Sequence, residues 1–490
     1  MPTLIPVEAI FFDQEKATPI YRQLYDFIQQ AIVTGEFPAK AQLPSSRLLS
    51  KELCISRSTV TTTYDQLIAE GYLTSQRGSG TTVAKALKPA HLEHIKPEQE
   101  DNELSVERLS TFGQAYLKSS KARNYANYKD SLLAVSLPSI VSFPHGPWGR
   151  ILSKYAKKPL SLEAGYDHPT GIYSLKTAVA SYLGLSRGVN TGAENVLILN
   201  STQAAVDLLC RVLLQAGDCC WMEDPGYNGI RLAMSNCAAS IVGISVDSEG
   251  LKIPTGEHSP KVIYTTPSHQ YPTGVTMSYS RRMSLLDYAH KNQSWILEDD
   301  YDSEFRYRGK PLPSLQGLDQ FQQVIYLGTF SKSVSPSLRV AYMVVPDSLK
   351  TVLEAIFADT GQGVTLSVQQ ALAEFIQDGH YSQHIRKTRQ LYSIKQQLLV
   401  DAIHKHLSGE VSVSKSQAGL QTTIIFNHQI NDLEVVALSR KAGLAVRALS
   451  PLYQTQQPQH GLILGFAATE NEEIEPAVIK LAKIIRQLNQ

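Results

Sequence analysis

From about residue 126 the chain repeats one pattern: a short apolar run that closes on polar or turn residues. The runs are "NVLILN", "CCWMED", "SIVGISV", "KVIYTTP", "SWILEDD" and "VIYLGTF". Helical stretches such as "STQAAVDLLCRVLLQA" and "RRMSLLDYAHKN" lie between several of them. Strands alternating with helices predict an α/β domain over residues 126–490 with a mostly parallel central sheet. Ligands of such sheets sit at the carboxyl ends of the strands, so the polar residues after each run are where chemistry is expected.

Residues 13–84 have a different texture. "PIYRQLYDFIQQAIVTGEF" carries Ile20, Leu24, Phe27, Ile28, Ala31 and Ile32 at helical spacing, with Pro19 at the start and Gly35 at the end. "SSRLLSKELCI" predicts a second helix capped by Ser45 or Ser46. "SRSTVTTTYDQLIAEGYL" predicts a third, capped by Ser56 and stopped at Gly71. "YLTSQRGSGTTVA" then reads as a hairpin around "RGSG". Residues 85–125 are polar and charged, with too little apolar surface to fold alone, and are expected to be a partly extended linker.

The totals narrow the function classes. A chain of 490 residues is long enough for two or three domains. Its formal net charge is only +1, so any nucleic-acid site must be a local patch. The five cysteines show no CxxC spacing, which gives no reason to expect a metal centre and suits free thiols in a reducing cytoplasm. "MPTLIPVEAIFFDQEK" has no basic leader, and no apolar run reaches the ~18 residues of a membrane helix. The expectation is a soluble cytoplasmic protein without a membrane partner.

A helix pair followed by a hairpin is the plan of a winged helix-turn-helix, whose second helix enters the major groove. Its leading residues here are Ser56, Arg57, Ser58 and Thr59: short polar groups and one arginine able to grip guanine or phosphate. Arg47 opens the preceding helix, where backbone amides favour phosphate. Arg77, with Gly78, Ser79 and Gly80, would form a wing tip. The competing reading is a small helical interaction domain with solvated arginines, and Glu52, Asp65 and Glu70 weaken the charge argument.

The strand ends of the larger region supply a specific kit. Pyridoxal 5'-phosphate (PLP) asks for a lysine to form a Schiff base and a carboxylate facing the pyridinium nitrogen. It also asks for a hydroxyl on the ring oxygen, and for hydroxyls plus a cation on the phosphate. Lys332 follows "VIYLGTFS", and Asp299 follows "SWILE" with Tyr301 two residues on. Thr329, Ser331 and Arg339 flank the lysine and suit a phosphate. Ser201, Thr202 and Gln203 of "NSTQAA" end a strand and open a helix, whose amides favour an anion. Singly these residues have ordinary explanations as surface or turn groups; together and in this order they are specific.

Two resemblances cover nearly the whole chain apart from the linker. "LPSSRLLSKELCISRSTVTTTYDQLIAEGYLTSQRGSGTTV" resembles the DNA-binding domain of GntR-type bacterial regulators, which implies DNA contacts at Arg47, Arg57, Ser58, Thr59 and Gly80. "YDHPTGIYSLKTAVASYL", "NSTQAAVDLL", "EDPGYNGIR", "TPSHQYPTG", "EDDYDSEFRY" and "TFSKSVSPSLRVAY" resemble fold-type I aminotransferases. The combination resembles the MocR family of regulators. That resemblance implies PLP held as an aldimine on Lys332, Tyr227 lining the cofactor, and a head-to-tail homodimer. It also implies binding to double-stranded operator DNA on the nucleoid, with a small amine, an amino acid or PLP itself as effector. The chain departs from active aminotransferases at "QYPTG", where Tyr271 replaces an asparagine. His269 or Gln270 is a candidate to replace that contact. The usual carboxylate-gripping arginine is missing from "GLILGFAA", which leaves Arg447 and Arg231 as effector candidates, with structural pairing to acidic neighbours as the alternative for both. The runner-up function is a PLP-dependent aminotransferase with an accessory DNA-binding domain; a PLP-free scaffold is third.

Overall fold

Pro19 and Gly35 bracket the first helix, α1 (Ile20–Thr34), in the computed structural model of the chain. Gly35 takes the left-handed conformation that closes a helix without a Cβ penalty. The buried stripe is Leu24, Tyr25, Ile28, Ala31 and Ile32. It differs from the apolar spacing at three positions, one of them Phe27, which is only half-buried. Ile20, the first residue of the helix, stays 45 % exposed. Tyr25 joins the core because its hydroxyl reaches the Glu70 carboxylate, so the phenol is buried without losing its hydrogen bond.

The structure describes residues 18–76, 80–84, 109–117 (less 111 and 115), 131–158 and 168–489. Within the last span, 255–258, 308, 310–311, 362, 417 and 455–456 are excepted. The chain divides into two units, Met1–Val106 and Glu107–Gln490. Apart from those few residues in 109–117, the linker expected over 85–125 lies outside the described residues, as do Arg77, Gly78 and Ser79.

In the first unit, α2 (Ser46–Glu52) is capped by Ser45, whose Oγ accepts from the Leu48 amide at 3.2 Å. α3 (Arg57–Ala69) is capped by Ser56, whose Oγ accepts from the Ser58 amide at 3.1 Å. Each cap satisfies an amide that the helix cannot. Strands β1 (Gln42–Leu43), β2 (Leu73–Gln76) and β3 (Gly80–Val83) form an antiparallel sheet in the order β1-β3-β2. Leu24, Ile28, Val60, Leu67, Leu73 and Val83 meet in its core.

All six apolar runs of the second unit are strands: β4 (Val196–Leu199), β5 (Cys219–Asp224), β6 (Ser240–Asp247), β8 (Val262–Thr265), β9 (Trp295–Asp300) and β10 (Val324–Thr329). With β7 (Gly250–Leu251) and β11 (Ala341–Val344) they make an eight-stranded sheet in the order β4-β11-β10-β9-β8-β5-β6-β7. β10, β9, β8, β5 and β6 pair in parallel, and β11 is antiparallel to both its neighbours, so β4 runs with the parallel set. Successive residues serve opposite faces. Leu197 and Leu199 pack with Ala205, Leu208 and Leu209 of the helix Thr202–Leu213, while Val196 and Ile198 join the core on the other side.

A smaller antiparallel sheet follows, formed by β12 (Val411–Val413), β13 (Gln421–Phe426), β14 (Arg447–Ala448) and β15 (Gly461–Gly465) in the order β12-β13-β15-β14. No helix among the described residues is long and apolar enough to cross a membrane.

Candidate functional site

β9 ends on two carboxylates that the strand's alternation sends to opposite faces. Asp299 accepts from the Tyr264 hydroxyl at 2.6 Å. Asp300 accepts from Arg187 Nε at 2.8 Å and the Tyr326 hydroxyl at 2.6 Å. The Asp299 Oδ1 atom is buried and has no hydrogen-bond partner among the described residues. Burial pushes the Asp299 carboxyl up to about 7, against the Tyr264 hydrogen bond and the Lys332 charge. Such an acceptor invites a cationic N–H.

β10 pairs in parallel with β9 and delivers Lys332 three residues past its end. Its Nζ donates to the Ser136 carbonyl at 3.0 Å. Burial, then the Arg447 charge, brings the amine down to about 8, with Asp302 and Asp299 opposing. The neutral, nucleophilic form of Lys332 therefore gains population as pH rises through 8 rather than through the ordinary lysine range. Reaction of Lys332 with an added aldehyde such as PLP should accelerate as pH rises from about 7 to about 9 and level off above. Stopped-flow absorbance measures this, and a rate still climbing steeply beyond pH 9 would contradict it.

The remaining cofactor candidates close or follow β4, β5, β8, β9 and β10 in the chain. Thr329 Oγ1 accepts from the Ser331 amide at 3.0 Å, which shapes the turn into Lys332. Arg339 is exposed and follows the short turn Pro336–Leu338 in a left-handed conformation (φ 53°). Ser201 caps the helix Thr202–Leu213, accepting from the Ala204 amide at 3.2 Å. Thr202 opens that helix, and Gln203 donates to the Gly229 carbonyl while its Oε1 is buried without a partner among the described residues. Tyr227, Tyr271 and Tyr301 form an edge-to-face series, with centroids 6.1 and 6.2 Å apart.

Of the two residues suggested for the missing asparagine, Gln270 is spent elsewhere: its amide donates to Glu223, Pro225 and Tyr271, and its oxygen accepts from Thr273. His269 is buried, and the Tyr301 hydroxyl donates to its carbonyl at 3.0 Å. Arg447 lies on β14 of the small sheet, where its charge reaches Lys332. Arg231 is half-buried within the charge field of Asp224, and burial lowers its pKa. The sequence reading missed the buried partners Arg187, Tyr264 and Tyr326, whose signal is only their contact with the two aspartates across the sheet.

In the first unit, Arg57 and Ser58 are exposed at the start of α3, Thr59 is half-buried, and Arg47 is exposed on α2. Gly80 opens β3 at φ 81°, a conformation that glycine takes readily.

Two family descriptions match the chain: bacterial regulatory proteins of the gntR family over residues 20–83, and aminotransferase class I and II over residues 160–481. The probable rhizopine catabolism regulatory protein MocR of Rhizobium meliloti is 36% identical over 96% of this chain and 95% of its own length. The pyridoxine biosynthesis transcriptional regulator PdxR of Corynebacterium glutamicum is 28% identical over 97% of this chain and 98% of its own. Among solved structures, a kynurenine aminotransferase from Pyrococcus horikoshii superposes with a TM-score of 0.68 at 25% identity, covering 81% of this chain and 98% of that one.

Proposed function

Since the chain belongs to the MocR family of GntR-type transcription regulators, we propose that its larger unit holds PLP on Lys332 and reports an effector to the DNA-reading unit. When bound, PLP supplies an aldehyde that exchanges between amines. The observation that carries the proposal is the pairing of a buried Asp299 Oδ1, without a partner among the described residues, with an amine lowered to about 8 just past the end of the neighbouring strand. Asp299 would hold the ring nitrogen, Tyr301 the ring oxygen, and Ser201, Thr202, Gln203, Thr329, Ser331 and Arg339 the phosphate end, with Tyr227 against the ring. Arg447 and Arg231 would take an acidic group of the effector. The effector is a small amine, an amino acid or PLP itself, read by a cytoplasmic head-to-tail homodimer on a two-half-site operator.

Arg57, Ser58 and Thr59, with Arg47 and the wing residues Arg77 and Gly80, would meet the DNA. Arg57→Ala should weaken operator binding by about 1–3 kcal/mol if the guanidinium reads a base. Fluorescence anisotropy on operator and random duplexes checks this; an equal loss on both would reassign Arg57 to phosphate. The likeness to kynurenine aminotransferase favours a second reading, catalytic transamination. Multiple turnovers with an amine and an oxo acid would establish it, and a single spectral change would not.

A further inference from the structure

His269 and Asp302, both buried, and the half-buried Ser416 form a hydrogen-bonded chain that the cofactor contacts above do not use. His269 Nδ1 lies 3.0 Å from both Asp302 oxygens, and Nε2 lies 2.9 Å from Ser416 Oγ. His269 follows β8 and Asp302 follows β9, both at the carboxyl edge of the large sheet, whereas Ser416 belongs to the connection between β12 and β13 of the small sheet. Histidine and aspartate are both almost fully buried. Two left-handed glycines make room for the chain. A Cβ on Gly419 would overlap the imidazole and lie 2.6 Å from Asp302 Oδ2, and one on Gly274 would lie 2.6 Å from Ser416 Cβ.

The donor arithmetic restricts the chain. An ionised carboxylate only accepts, so Nδ1 carries the hydrogen that faces Asp302. The Tyr301 hydroxyl, 3.2 Å from that nitrogen, has one proton, which goes to the His269 carbonyl at 3.0 Å here and would turn to the cofactor's ring oxygen when PLP is bound. In the neutral imidazole Nε2 then accepts, and Ser416 has one proton for two acceptors, Nε2 and the Ala418 carbonyl at 3.0 Å, so the small-sheet connection and the imidazole compete for it. Tyr271 packs edge-on against the Tyr301 ring, which leaves the hydroxyl direction as what His269 controls.

We propose that His269 is a positioning residue: braced by Asp302 and Ser416, it aims the Tyr301 hydroxyl at the cofactor's ring oxygen and links that aim to the position of the small sheet. This inference rests on the PLP reading above. Because Arg447 also stands on the small sheet, an effector gripped there would move Ser416's sheet and be felt at Tyr301.

The test compares the full-length PLP-loaded chain with His269→Gln, Ser416→Ala, Tyr301→Phe and the His269→Gln/Tyr301→Phe double variant, by visible absorbance and circular dichroism at one pH. His269→Gln and Tyr301→Phe should each change the ratio of the cofactor's two long-wavelength bands at least about three-fold in the same direction. The double variant should match Tyr301→Phe alone, the non-additivity expected of residues acting as one unit. Ser416→Ala, which removes only a hydroxyl, should shift the ratio in that direction with the chain still folded. A wild-type band ratio in His269→Gln, or an effect that adds to Tyr301→Phe, would overturn the proposal. Should His269→Gln fail to fold, Ser416→Ala decides: a wild-type spectrum there overturns it. A colourless wild-type chain after soaking in PLP would instead overturn the cofactor reading itself.

Discussion

Lys332→Ala is expected to abolish covalent retention of PLP while leaving operator binding in the absence of effector within about 0.5 kcal/mol of wild type, as for independent sites. The amine it removes is desolvated and lowered to about 8, so its loss strands no stabilising ion pair. Borohydride reduction followed by intact-mass measurement reads the first part: wild type should gain the mass of the reduced cofactor and the variant should not. Equal labelling of the variant would show that another lysine holds PLP. Anisotropy on operator DNA reads the second part, and a collapse of DNA binding would show that the residue serves the fold.

Arg187→Ala should destabilise the larger unit by about 3–5 kcal/mol, the cost of stranding a buried charge. Arg187 ends the helix Tyr173–Arg187, and its guanidinium donates to Asp300, to the Leu312 carbonyl and to Ser268. Both members of the ion pair are almost fully buried. Burial opposes the arginine's charge, and Asp300 together with Tyr326 and Glu298 more than restores it. Truncation leaves Asp300 with the Tyr326 hydroxyl alone among these partners, and its Oδ1 already lacks one among the described residues. Urea unfolding should show a lower midpoint, with Arg187→Lys recovering only part of the loss because an ammonium cannot make the forked contacts. A midpoint equal to wild type would refute the assignment. The effect reaches function because Asp300 adjoins Asp299 on β9.

The strands were legible because each of the six runs is a strand of the large sheet that closes on polar or turn residues, and the candidate site residues lie at several of those ends. Lys332, three residues past β10, and Asp299, at the end of β9, could be found that way. Their partners could not. Arg187 is separated from Asp300 by 113 positions and Ser416 from His269 by 147, and nothing local in "LSRGVN" or "VSKSQAG" marks a buried group. The same limit explains α1: spacing alone placed Ile20 on the buried stripe, whereas the hydrogen bond that lets Tyr25 in comes from Glu70 on another helix. Gln270 shows the converse, a polar residue beside the site whose donors and acceptor are all used by its own loop and Glu223.

The most direct test is the operator affinity of wild type and Lys332→Ala, each titrated with PLP alone and then with a panel of small amines and amino acids. A regulator built on Lys332 should change its dissociation constant at least about five-fold with PLP or with one panel member, the low end of ordinary coupling between sites. The alanine variant should respond to none. A wild-type affinity indifferent to PLP and to every amine, or a variant that responds as wild type does, would contradict the account.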